Sequence, residues 1–169
     1  ETKQSLRNAI TLRLYLGHYE KALANAHAYI KQYPTDGEVQ KIHLSIADIH
    51  TRMKDKKKAN AKYTELLATY KENRDMLFKI SANLGLFYLK DNVTKEGLEY
   101  AGYAKTHYGA LGKKEQKENV SLYSELRFEV AKLSFNEFKD VKLKLPAPVL
   151  KELLRKKAAL LNEIKESYL

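Results

Sequence analysis

The sequence has no cysteine, three prolines and seven glycines in 169 residues. Without cysteine it holds no disulfide framework, no thiolate nucleophile and no cysteine-ligated zinc, although this leaves the cellular compartment open. Scarce glycine and proline argue against a loop-rich all-β fold and against disorder, and a hydrophobic share of 44% suffices for a packed core. Arginine is rare too: six of the 31 cations are arginine and the other 25 are lysine. No apolar stretch approaches a membrane span. The longest that matters, Leu86 to Leu89, is a fraction of the roughly 20 residues required.

Sequence signatures of catalysis and cofactor binding are missing as well. His43 and His50 share a helix face but stand two turns apart, about 10 Å along the axis, too far for one zinc with ligand nitrogens near 2 Å. There is no His-Glu-x-x-His, and Gly109-Ala110-Leu111-Gly112 lacks the Lys-Ser or Lys-Thr of a phosphate loop, reading instead as a helix stop and turn. No Gly-x-Ser-x-Gly elbow occurs. Carboxylate pairs such as Glu115 and Glu118 are flanked by lysine on charged helix faces. The expectation is a chain with no catalytic, cofactor or metal site.

What is abundant is positive charge, net +10. It divides into +6 for residues 1–112 and +4 for residues 113–169, so it is spread along the chain and not gathered in a tail. Clusters stand at Lys54 with Lys56-Lys57-Lys58, at Lys113-Lys114 and at Arg155-Lys156-Lys157. Specific nucleic-acid binding favours arginine, or aromatics interleaved with a basic stripe; here lysine dominates and the tyrosines fall on packing stripes. That disfavours nucleic acid as partner.

The positive content of the sequence is a repeat. Tyr15-Leu16-Gly17-His18-Tyr19-Glu20-Lys21-Ala22 is followed by Ala26, Tyr29 and Pro34. Met53 through Ala59 is followed by Tyr63, Leu66 and Leu67, and Tyr88 through Gly97 by Ala101, Ala104 and Gly109. Aligned on Ala22, Ala59 and Gly97, the spacings are 37 and 38 residues. Each unit reads as two helices joined by a tight turn. Leu6, Ala9, Ile10 and Leu14 face Ala22, Leu23, Ala26 and Ile30; Ile42, Ile46, Ala47 and Ile49 face Ala59, Tyr63, Leu66, Leu67 and Tyr70; Leu77, Ile80, Leu84 and Phe87 face Leu98, Ala101, Ala104 and Tyr108.

The Gly17-x-Tyr19-x-x-Ala22 segment with Ala26, Tyr29 and Pro34 resembles the tetratricopeptide repeat family. Lys54 and Lys56, then Asn92 and Thr94, stand where that family has glycine and tyrosine, and Gly97 stands in place of alanine. The resemblance implies an all-α, right-handed α-solenoid with three repeats, about 4–36, 37–73 and 74–112. It also implies a concave face lined by the first helix of each pair. Carried over residue by residue, the binding face is Arg7, Thr11, Leu14 and Tyr15, then Lys41, Asp48 and Arg52, then Lys79, Asn83, Leu86 and Lys90, with Gln4, Leu44, Thr51, Ala82 and Leu89 beside them. Places where some members hold a terminal carboxylate carry Arg7, Thr11, Ser45, Lys79 and Asn83, with asparagines replaced by Thr11 and Ser45.

Residues 113–169 differ. Val120, Leu122, Tyr123, Leu126, Val130, Leu133 and Phe138 outline one long helix. The stretch 139–148, with Lys142-Leu143-Lys144-Leu145 and Pro146-Ala147-Pro148, breaks it. From Val149, the residues Leu150, Leu153, Leu154, Leu160, Leu161 and Ile164 outline a last helix running to the end. We read a divergent helix pair packing as a fourth unit or cap. This segment also resembles part of the long tetratricopeptide proteins of gliding and predatory bacteria, which implies more repeats beyond Leu169 and favours the periplasm or cell envelope over the cytoplasm. A start at Glu1 and an end inside a helical pattern fit a segment of a longer protein. The functional expectation is a non-catalytic scaffold that binds an acidic or amphipathic segment of a protein partner. The alternatives are electrostatic binding of nucleic acid or anionic membrane through lysine-rich surface, and a spacer or oligomerisation role in a larger protein.

Overall fold

The structure, a computed structural model, describes residues 2–143 and 147–168. It is all-helical: α1 Lys3–Tyr15, α2 Tyr19–Gln32, α3 Val39–Arg52, α4 Lys56–Thr69, α5 Arg74–Lys90, α6 Thr94–Gly109, α7 Lys113–Asp140 and α8 Ala147–Tyr168. No strand occurs among the described residues. The chain packs as two compact units, residues 1–80 and 81–169, and the division falls inside α5.

The expected two-helix periodicity has a stereochemical basis in the turns. Gly17, Lys54 and Asn92, at the spacings of 37 and 38 residues, all have positive φ, at 72°, 59° and 61°. Each donates its N–H to the carbonyl three residues back, Leu14, Thr51 and Leu89. The next residue in each turn donates five residues back: His18 to Arg13, Asp55 to His50 and Val93 to Tyr88, at 2.8, 3.0 and 2.9 Å. This paired pattern closes a helix C-terminus through one left-handed residue. Glycine does so without strain and asparagine tolerates it; a lysine held there costs about 1 kcal/mol or more.

In unit 1 the α1/α2, α2/α3 and α3/α4 neighbours pack together. Leu6 and Ile10 of α1, Ala26 and Tyr29 of α2, and Val39, Ile42 and Ile46 of α3 form one buried cluster. Ala22 and Ala59 are fully buried where helices meet closely, and Ile49, Tyr63 and Leu66 extend the core into α4. A polar tie pins the α2–α3 connection. Tyr29 donates its hydroxyl to Asp36 at 2.7 Å, the Glu38 N–H donates to the same carboxylate at 2.9 Å, and Lys3 pairs with it. The Lys3 bond, with those from Tyr29 and Glu38, holds Asp36 well below the usual carboxylate range. Burial and the Asp36 bond push Tyr29 up to about 12.

In unit 2, α6 packs on α7 and α7 on α8. Gly97 lies so close to α5 that a Cβ there would stand 2.7 Å from the Leu89 side chain and 3.1 Å from its backbone N, which accounts for glycine at a site where Ala22 and Ala59 serve unit 1. Tyr108 and Tyr123 stack at 3.9 Å, and Gln116 donates to the carbonyls of Tyr108 and Leu111, closing the α6–α7 connection. Lys90 pairs with Glu125 at 2.7 Å.

Several expectations need correction. Leu98, assigned to a packed stripe, is 43% exposed, and Val120 and Leu161 are exposed as well. The last helix begins at Ala147, two residues early, with Pro148 in its first turn, where a missing N–H costs no helical bond. Lys144, Leu145 and Pro146 of the expected linker lie outside the described residues, as does Leu169 of the last helix.

Candidate functional site

The first helices of the two hairpins in unit 1, α1 and α3, face each other across an open cleft of about 510 Å³. Helical periodicity sets its walls: on α1 Thr11 stands four residues after Arg7, with Leu14 and Tyr15 three and four residues further on, and on α3 Ser45 stands four residues after Lys41 and Arg52 seven after Ser45. Its floor is apolar, made of Ile10 and Ile42, both in the core. Tyr15, on the last turn of α1, is 89% exposed and presents a large amphipathic ring at the cleft edge.

Ion pairs order the rim. Glu38 sits between two cations, 3.4 Å from Arg7 and 2.9 Å from Lys41. Arg52 donates to Asp48 at 2.8 Å, and that bond together with the Asp48 charge raises the guanidinium pKa further. Such exposed pairs contribute only tenths of a kcal/mol to about 1 kcal/mol and exchange readily for a competing carboxylate. The Thr11 and Ser45 hydroxyls are committed as donors: Thr11 donates to the Arg7 carbonyl at 3.2 Å and Ser45 to the Lys41 carbonyl at 3.0 Å.

No family model matches this chain. No curated protein and no solved structure matches it either.

Of the eleven residues carried over from the repeat resemblance, six line this cleft: Arg7, Thr11, Leu14, Tyr15, Lys41 and Arg52. Asp48 stands behind Arg52 as its ion-pair partner. Lys79 pairs with Asp75 on α5. Asn83, Leu86 and Lys90 belong to the second unit, where Leu86 is buried and Lys90 is bonded to Glu125. Glu38, the carboxylate that organises the rim, was missed. Its only sequence signal is the three-residue spacing to Lys41.

The histidines are placed separately. The His43 Nδ1 is 2.7 Å from the Tyr70 hydroxyl, and the buried His50 Nδ1 has no hydrogen-bond partner among the described residues. Burial lowers the pKa of both. Among the described residues no group of three or more His, Asp or Glu is arranged to hold a metal ion, and no helix is long and apolar enough to cross a membrane.

Proposed function

We propose that this chain is a non-catalytic protein–protein interaction scaffold, built of tetratricopeptide-like helix pairs in a right-handed solenoid. The α1/α3 cleft takes an acidic or amphipathic segment of a protein partner. The observation that carries the reading is the cleft itself: an apolar floor of Ile10 and Ile42 under a rim with three cations, Arg7, Lys41 and Arg52, against the single lining carboxylate Glu38. A partner carboxylate exchanges with Glu38 on Arg7 or Lys41, and an apolar anchor descends beside Leu14. The recurrence of one turn geometry at Gly17, Lys54 and Asn92 supports the repeat reading.

Protein is favoured over a polyanion by the pairing of the lysines. Lys41, Lys58, Lys62, Lys79, Lys90 and Lys132 each meet a carboxylate of the chain, and a lysine so paired is less available to a polyanion.

A photo-crosslinking residue at position 15 tests the reading. Expected are crosslinks to a protein segment that carries acidic residues, lost in the triple variant Arg7→Glu, Lys41→Glu, Arg52→Glu, which keeps its helical circular dichroism. Crosslinks that survive the triple variant would overturn it. So would binding to duplex DNA or anionic vesicles that exceeds protein capture and collapses between low and physiological salt.

A further inference from the structure

Unit 2 contains a second open groove, of about 630 Å³, made by α6, α7 and α8. The groove runs along one stripe of α7 between its two neighbours, with the buried Leu126 at its floor. Tyr123, Leu126, Val130, Leu133 and Glu137 follow one another at three- and four-residue spacing along that stripe. On the α6 wall Leu98 is 43% exposed, and above Gly102 there is open space with no atom within 4 Å of a would-be Cβ. An entering side chain therefore has a place to go.

The groove has a sign, and it opposes that of the whole chain. Its lining carboxylates are Glu137 on α7 and Glu163 and Glu166 on α8; its cations are Lys105 and Arg127. Arg127 is engaged in the wall, donating to the Glu166 backbone carbonyl at 2.7 Å with its guanidinium 5.7 Å from the Tyr123 ring, and Glu163 accepts from the Ser134 hydroxyl at 3.3 Å. The α8 edge is thus acidic in a protein of net charge +10.

Helical walls suit a helical occupant. All the walls are helices, whose N–H and C=O groups are bonded within the helix, so an extended peptide laid on this floor would find no ladder for its own backbone. A helix satisfies its backbone internally and needs only side-chain contacts. The stripe from Tyr123 to Glu137 is about 21 Å long at 1.5 Å per residue, four helical turns.

We propose that this groove is a docking site for one amphipathic α-helix of a partner protein, with its apolar stripe seated on Leu98, Val130 and Leu133. Lysines or arginines along one edge of that helix meet Glu137, Glu163 and Glu166. The site is distinct from the α1/α3 cleft and takes the opposite charge.

Two synthetic helical peptides of about 16 residues make the test. Both carry leucines at three- and four-residue spacing; one has lysines flanking the stripe and the other has glutamates. Binding to the full chain is read by fluorescence anisotropy and by methyl shifts of Leu98, Val130 and Leu133. The lysine-edged peptide binds about tenfold tighter at physiological salt, against the net charge of the protein, and moves those methyls. The exposed double variant E163K/E166K reverses the order, and Leu98→Asp weakens the lysine-edged peptide about tenfold while circular dichroism stays helical. Several results would overturn the proposal: a preference unchanged in E163K/E166K, no binding of either peptide, or shifts confined to other methyls. Concentration-dependent self-association that fills the groove in sedimentation runs would also overturn it, in favour of a second copy as occupant.

Discussion

The cleft of unit 1 and the groove of unit 2 are made of the same material, helix walls over an apolar floor, and carry opposite charge. Around Ile10 and Ile42 stand Arg7, Lys41 and Arg52 with Glu38; around Val130 and Leu133 stand Glu137, Glu163 and Glu166 with Lys105 and Arg127. Both units are net cationic, so the local sign follows from which flank of a helix faces inward and not from composition. On α8, Glu163 and Glu166 are three residues apart and share the groove edge, whereas Leu161 lies about 160° around the helix from Glu163. Net charge is a guide to partners only after the inward faces are known.

The units also differ in how tightly their helices cross, and the largest effects should come from breaking that difference. Gly97→Ala puts a Cβ into Leu89, touching its backbone as well as its side chain, and is expected to cost about 1–3 kcal/mol in denaturant unfolding. The reciprocal change in unit 1, Ala59→Gly, removes a buried methyl and adds backbone freedom, for about 1 kcal/mol. A Gly97→Ala protein as stable as the parent would show that the close approach to α5 is not needed.

Acid should next separate the units. In unit 1 burial lowers the pKa of His43 and of His50, and three hydrogen bonds lower that of Asp36; in unit 2 His107 is the histidine lowered by burial. For the histidines the unfolded chain takes up the proton first, so their contribution is complete above the ordinary histidine value of about 6.5 and is lost as pH falls below it. The Asp36 contribution is present above the ordinary carboxylate value near 4 and is lost below it. Amide hydrogen exchange along the full chain, stepped from neutral pH to about pH 4, is expected to lose protection in α2–α4 before α6–α8, and His43→Gln with His50→Gln should flatten the first step. Equal loss in both units would erase the distinction.

These contrasts were partly legible in the residues. Apolar periodicity placed the helices, and the recurrence of Gly17, Lys54 and Asn92 marked three turns, because a left-handed residue is required once per hairpin whatever side chain fills it. Periodicity states which face is apolar and is silent on what covers it. Leu98 and Leu86 both sit on apolar stripes, yet Leu98 is 43% exposed in the groove and Leu86 is buried. The groove depends on how α6, α7 and α8 pack around Leu126, Val130 and Leu133, which no local pattern encodes. The cleft was more visible because Arg7, Thr11, Lys41 and Arg52 lie on first helices whose register is set by the repeat. Glu38 escaped notice because it precedes the helix whose lysine it holds.

The smallest expected effect is the most direct probe of the shared turn. Lys54 occupies the left-handed position at φ 59°, where a Cβ crowds the following carbonyl and glycine carries no such penalty. Its side chain is exposed, so replacing it removes no core contact. Lys54→Gly should therefore stabilise the chain by about 1 kcal/mol, less the fraction of that gain lost to the greater freedom of glycine in the unfolded state. Asn92→Gly at φ 61° should gain less, because asparagine already tolerates the conformation. Gly17→Ala should lose about 1 kcal/mol by the same reasoning run backwards, even though no atom lies within 4 Å of its would-be Cβ. The order Lys54→Gly above Asn92→Gly above zero, with Gly17→Ala below it, is what a common turn geometry requires. A destabilising Lys54→Gly in urea unfolding would mean that the three turns are alike in sequence spacing only.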